Sequence, residues 1–350
     1  MKFLVVGGGF AGRMLAWFLC KKGAEVTLSD RKDPYSATRV SAGIIKPVTG
    51  RRIVKTANGN EAIPIAFSTY RELAELTGME ILRNKPVLHL FNSPGNRNDW
   101  MARSSDPDME GATGAFLNSN QISPAVSAPF GGVVLNDSGY VNPASFEKAI
   151  DQALKGKCEF LMSQGHHLSE QHEVDDIDSK LQLFDRIILC QGPLAVRNKL
   201  TSWIPFKPVK GEILDIEVEG LNIDYILSSG IYVVPYGDNL FRAGATYVWD
   251  DLSNTPTEQA AKELAGSLSH MIIPPFKILG QKAGIRPAIA DRRPVIGWLP
   301  GNARIGIFNG LGTKGAMLGP YFANQAAEYF LSGKSLDADV DLIRYSKLYR

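Results

Sequence analysis

Over residues 2–30, KFLVVGGGFAGRMLAWFLCKKGAEVTLSD, the hydrophobic pattern changes period twice. A continuous apolar run from Phe3 to Val6 meets Gly7-Gly8-Gly9. Apolar residues at helical spacing follow, and then an alternating run from Glu25 to Ser29. The pattern predicts strand, turn, helix and strand, with Gly23 as the helix stop, in a compact βαβ unit. Ile65, Tyr70, Leu73 and Leu76 predict an amphipathic helix over 64–77 closed by Gly78. Residues 92–139, rich in Gly, Pro, Ser and Asn, read as loops and short strands. Asn142 before Pro143 predicts a helix start, continued by Phe146, Ile150 and Leu154.

The run 185–190 is a buried-strand pattern ending at Gly192. Two β-rich runs follow, 212–218 and 231–246, the second broken by a turn at Gly237-Asp238. Thr255, Pro256 and Glu258 predict a capping box for a helix reaching about Met271. A strand over 305–308 leads through a glycine-rich loop to a last helix ending near Gly333, and no internal repeat is visible. The order predicts an α/β (α+β) chain with one discontinuous domain, residues 1–75, 140–200 and 275–350, and a second from 76–139 and 201–274.

Composition narrows the classes. The chain has 350 residues, 44% hydrophobic and 21% charged, as expected of a globular protein. With 38 basic against 36 acidic residues it has no global field to draw it to nucleic acid or a membrane. Cys20, Cys158 and Cys190 are odd in number and far apart, which predicts a reducing, cytoplasmic setting rather than a disulfide framework. His166, His167 and His172 lie in a polar stretch read as a solvated loop, and no metal site is expected. Lys2 and the early apolar runs imitate a secretory leader, but the glycines and Arg13 interrupt them. No apolar stretch reaches the ~18 residues of a membrane span.

Candidate chemistry begins at Gly7-x-Gly9-Phe10-Ala11-Gly12, directly after a strand and opening a helix. That arrangement lets a pyrophosphate approach backbone amides and points the helix dipole at it. Asp30, at the end of the second strand, is placed to accept ribose hydroxyls. Arg31 and Lys32 beside it suggest a 2′-phosphate, which the acid disfavours. The motif by itself does not choose between NAD and FAD.

SATRVSAGIIKP after the second strand resembles the corresponding segment of the D-amino-acid oxidase superfamily, which includes glycine and sarcosine oxidases. GYVNPASFEKAI, DRIILCQG, VKGEILDI, YVVPYGDNLFRAGAT, GIRPAIADRRPVIG and FNGLGTKGAMLGP then follow in that family's order, so the resemblance spans nearly the whole chain. It implies a Rossmann-like FAD-binding domain of the glutathione-reductase type with an inserted antiparallel substrate domain. It extends the cofactor contacts from Gly7, Gly9, Phe10, Ala11, Gly12 and Asp30 to Arg31, Ser41, Ala42, Gly43, Ile44, Gln191 and Gly192. Gly310, Leu311, Gly312, Thr313 and Lys314 complete the set, in a loop whose glycines, with Gly315, can form a nest of amides facing the flavin N1–C2=O edge.

The same resemblance implies that Arg286 binds a substrate carboxylate, with a fork suited to both oxygens, and that Tyr232 hydrogen-bonds it. Arg242 falls where the sarcosine-oxidase branch carries a lysine that assists oxygen reduction. That branch attaches its flavin through a cysteine in the region of GIRPAIADRRP, and none follows Cys190 here, so a noncovalent FAD is expected. The implied reaction is hydride transfer from the α-carbon of a small amine or amino acid to flavin N5, with hydrolysis of the imine. Oxygen or another acceptor then takes the electrons. Residues 92–139 and 231–249 are expected to set the substrate side chain.

KPVTGRRIVKT sets Lys46, Arg51, Arg52 and Lys55 within ten residues, enough to hold an anionic substrate or RNA phosphates, although a solvated loop is the leading reading of the cluster. With NGLGTKG it resembles the flavin domain of the bacterial tRNA wobble-uridine modification enzyme, which removes a carboxymethyl group from an amine. The even charge and the lack of an attached methyltransferase domain argue against that alternative. A non-catalytic flavoprotein and an NAD(P)-dependent dehydrogenase are the remaining readings.

Overall fold

A computed structural model describes residues 1–49, 53–162 and 183–349. Its core sheet has six strands in the order Cys158–Met162, Glu25–Asp30, Lys2–Val6, Arg186–Leu189, Ile305–Asn309, Val295–Trp298. The first five are parallel and the last is antiparallel to its neighbour. The central strands Lys2–Val6, Arg186–Leu189 and Ile305–Asn309 are covered on both faces, which is why they read as apolar runs rather than alternations. Phe3, Val5, Leu28 and Ile188 face the helices Phe10–Lys21, Pro143–Leu154 and Gly315–Ser332, whereas Leu4, Ile187, Leu189 and Ile307 pack on Ile204, Leu299 and Leu342. Asn142 caps the middle helix through the amides of Ala144 and Ser145, and Gly333 ends the last with φ +72°.

The second large sheet has eight strands. Lys277–Arg286, Val209–Glu217, Leu240–Gly244, Ile231–Gly237, Ile226–Ser229, Val87–Leu90, Gly132–Leu135 and Thr113–Leu117 lie side by side, antiparallel except where Ile226–Ser229 meets Val87–Leu90. One face carries Leu214, Ile216, Val233 and Phe241 against Leu264 and Leu268 of helix Glu258–Ser269. The other packs Val87, Val133 and Val234 on Phe91, Trp100 and Tyr140.

Four expectations are corrected. The helix predicted over 64–77 spans Gly59–Thr77, because Ala62 and Ile63 bury in the core and outweigh the backbone bond lost at Pro64. Helix Pro94–Ser104, capped by Ser93, stands in a region read as loop and strand; its one buried residue, Trp100, leaves no amphipathic period to read. The cap of helix Glu258–Ser269 is Thr257, not Thr255, whose carbonyl instead accepts from Lys210 Nζ at 2.6 Å. Lys277–Arg286, assigned with 275–350 to the cofactor half, pairs along Val209–Glu217 in the eight-stranded sheet, a long-range pairing that no local pattern carries.

Candidate functional site

Lys2–Val6, Arg186–Leu189 and Ile305–Asn309 end side by side, and the loops after them open onto one cleft of about 500 Å3. Gly7 to Gly9 turn directly into helix Phe10–Lys21. A Cβ on Gly12 would lie 1.8 Å from the Gly7 carbonyl oxygen, so only glycine lets the helix start this close to the strand. The Thr38 hydroxyl takes the Phe10 amide at 2.9 Å. The next amides, as at any helix start, lack an intrahelical acceptor, and the dipole there favours an anion. Asp30 borders the same space and is held by buried Arg13 at 3.1 Å, which also reaches Asp151 at 2.9 Å.

The middle of the cleft is lined by Ser41, Ala42, Gly43 and Ile44. Arg242 Nη1 donates to the Ser41 carbonyl at 3.0 Å while Nε is ion-paired with Asp215 at 2.8 Å, and the Tyr236 hydroxyl donates to the Ala42 carbonyl at 3.2 Å. Arg242 therefore ties this segment to the eight-stranded sheet. Opposite, Asn309 Nδ2 donates to the Gly192 carbonyl at 2.9 Å and its Oδ1 accepts from the Gly310 amide at 2.8 Å, joining the two loops that follow the parallel strands. Lys314 precedes the last helix, and burial pushes its ammonium pKa down, with Arg293, Arg292 and Lys46 adding to the shift.

At the far end stand Arg286, Tyr232, Tyr247 and Lys46. Arg286 lies 4.2 Å over the Tyr247 ring and spends Nη1 on the carbonyls of Thr246 at 3.0 Å and Lys210 at 3.3 Å. Its Nε and Nη2 make no bond to any described residue, and no carboxylate pairs with it among them. Burial lowers its pKa, only partly offset by Tyr247 and Tyr232. Lys46 Nζ sits 4.7 Å over the Tyr232 ring.

All the residues expected to touch cofactor or substrate line this cleft except Gly12 and Gly310, which sit behind it and let the loops approach. Sequence reasoning missed Arg13, Thr38, Gly211, Tyr247 and Asn309. Arg13 carried a signal, a charged residue inside an apolar helix; the others act through partners distant in the chain. Arg51, Arg52, His166, His167 and His172 lie outside the described residues.

The family model of FAD-dependent oxidoreductases of the D-amino-acid oxidase type matches residues 2–329. The chain belongs to this family. It is an FAD-dependent oxidoreductase. It is 24% identical over 347 residues to glycine oxidase of Bacillus licheniformis, covering 94% of this chain and 92% of that one. It is 25% identical over 316 residues to the tRNA 5-methylaminomethyl-2-thiouridine biosynthesis bifunctional protein MnmC of Legionella pneumophila (strain Lens), covering 85% of this chain and 45% of that protein. The chain thus matches about half the length of that curated relative. In fold it is similar to glycine oxidase from Bacillus cereus, with TM-score 0.79, 15% identity, and 95% and 96% of the two chains covered.

The residues present fit FAD. The Gly7–Gly12 cradle leaves helix amides open toward the cleft, Asp30 is oriented beside them, and the cleft continues without a break to Lys314 and Arg286. Among the described residues no helix is long and apolar enough to cross a membrane, and no cluster of side chains could hold a metal ion.

Proposed function

We propose that this flavoenzyme oxidises the C–N bond of a small amine that carries a carboxylate. The observation that carries the reading is Arg286, a guanidinium lining the cleft with two donor nitrogens unused and no carboxylate among its described partners. A cation so placed needs a counter-charge, and its fork matches both oxygens of a carboxylate.

FAD, when bound, supplies the acceptor for the two electrons and the hydrogen removed from carbon. Gly7, Gly9, Phe10 and Ala11 would hold its pyrophosphate, with Gly12 behind them letting the helix approach, and Asp30 would hold its ribose, with Arg31 alongside. Gln191, Gly192, Leu311, Gly312, Thr313 and Lys314 border its ring. Arg286 binds the substrate carboxylate, Tyr232 donates to it, and Tyr247 keeps the guanidinium flat beneath it. The chain's task is orientation, since the only carboxylates lining the cleft among the described residues are Asp30 and Asp33, at the opposite end. Arg242, neutralised by Asp215, positions the Ser41 segment. The product imine hydrolyses to a carbonyl compound and an amine or ammonia.

Anaerobic addition of glycine, sarcosine, and D- and L-amino acids to the yellow holoenzyme tests this reading. Bleaching by one of them is expected, with Arg286→Ala lowering kcat/KM by about a hundredfold or more while FAD stays bound. An Arg286→Ala variant with unchanged kcat/KM removes the carboxylate role. Readmitting air distinguishes an oxidase from an enzyme with another acceptor.

The likeness to the Legionella protein favours a second reading, removal of a carboxymethyl group from a wobble-uridine amine in tRNA. Lys46 lines the cleft, although Lys55 is spent on the Glu110 carbonyl at 3.2 Å. Bleaching by modified tRNA, and by no free amino acid, would select it.

A further inference from the structure

Lys46 follows the short strand Ile44–Ile45 and enters the cleft beside Tyr232. Its ammonium lies 4.7 Å over that ring and forms no ion pair with any described residue. The positive field it creates is felt on two sides. Burial is the main cause of the low pKa of both His89 and Lys314, but Lys46 pushes each further down. On the described cleft wall Arg31, Lys46, Arg197, Arg286 and Lys314 are cations without a carboxylate partner, while Arg242 has Asp215. Arg31 follows Asp30 and Arg197 follows the Gly192 loop, both at the cofactor loops, so Lys46 and Arg286 are the two beside Tyr232 and Tyr247. The acids that line the cleft, Asp30 and Asp33, belong to the opposite end, where Asp30 is paired with Arg13.

Half-buried cations gathered without acids are retained at a cost unless something they bind supplies the missing charge. Lys314, at the start of the last helix, faces the cofactor, and Arg286 takes one carboxylate under the function proposed above. Lys46 is then the cation left over on the substrate side of Tyr232. The face of Tyr232 attracts an ammonium, but it supplies no net negative charge.

We propose that Lys46 is a specificity-determining residue that binds a second carboxylate of the substrate, so that the preferred amine carries two, as an N-carboxymethyl amino acid or an acidic amino acid does. This rests on the reading of Arg286 as the first carboxylate anchor. A lysine suits the second position because its ammonium is a point charge on a flexible stem and accepts carboxylates at more than one distance.

The test uses FAD-loaded protein, with the flavin's visible spectrum as a binding signal and acetate, malonate, succinate and glutarate as non-reacting probes. Wild-type protein is expected to bind at least one dicarboxylate about tenfold more tightly than acetate, a preference that falls to near unity in Lys46→Gln and persists in Lys46→Arg. Anaerobic reduction by iminodiacetate against glycine, and by D-glutamate against D-alanine, should follow the same ratios. The melting temperature and flavin spectrum of each variant report whether it is folded. A wild-type protein without preference, or a Lys46→Gln variant that keeps it, overturns the inference and leaves Arg286 untouched. Loss of the preference in Lys46→Arg as well overturns the claim that charge at this position carries it. Arg286→Ala protein that binds acetate as wild type does overturns the anchor, and the inference with it.

Discussion

A Cβ at Gly211 would lie 2.0 Å from Arg286 Nη2, so the guanidinium reaches the cleft only across a residue with no side chain. Gly211→Ala should push the arginine aside without touching the cofactor loops. The expected result is a fall in kcat/KM for carboxylated amines of about a hundredfold, the scale of a 1 Å misplacement, with FAD still bound. His89 offers a prediction on stability. Burial, helped by Lys46, holds its pKa down at about 4 against 6.5 when unperturbed. The folded protein therefore stays unprotonated over a range where the unfolded chain takes up a proton. Stability falls as pH drops from about 6.5 towards 4, by at most about 3 kcal/mol from this group. Urea unfolding at pH 7 and pH 4.5 should show a smaller loss in His89→Gln than in wild type.

At the scale of elements, the strand Val209–Glu217 controls the loop that roofs the cleft. Lys210, 1% exposed, donates from Nζ to Asp251 and to the Thr255 carbonyl, both at 2.6 Å, and lies 3.5 Å from buried Glu212. Glu212 in turn accepts from the Thr257 amide and hydroxyl and from Gln281 Nε2. The loop so pinned begins with Tyr247, which stacks on Arg286, and carries Leu252 and Asn254 on the cleft wall. Lys210→Met strands Glu212 without its cation and should cost about 3–5 kcal/mol in denaturant unfolding. Adding Glu212→Gln should restore part of that loss, because the two residues act as one unit. A purely additive pair would contradict the coupling.

At the scale of the whole molecule, the cleft proposed to hold the cofactor lies where distant parts of the chain meet, near Gly7, Gly192 and Gly312, beside a sheet built from other segments. Only the folded chain presents that site, so FAD should raise the melting temperature in step with its concentration. Cys190 is the one cysteine among the described residues lining the cleft, and burial pushes its thiol pKa up, away from the reactive thiolate. Acid precipitation should therefore leave a colourless pellet and a yellow supernatant. A yellow pellet would mean a covalent flavin.

The features legible in the chain are local: the Gly7–Gly12 turn, Asp30 at a strand end, the Asn142 cap and the Gly333 stop each depend on residues within a few positions, where backbone preference and periodicity decide. The order of motifs added the family and, through its resemblance, Arg286 and Tyr232 as candidates, both of which line the cleft. The remaining features depend on contacts between distant segments. The helix Pro94–Ser104 buries a single residue, Trp100, and Lys277–Arg286 joined the large sheet by pairing with a strand far back in the chain. Arg13 found Asp30 and Asp151, Gly211 made room for Arg286, and Lys46 came to rest over Tyr232. These contacts join residues that no local pattern relates, because burial and charge select partners by position in the folded core.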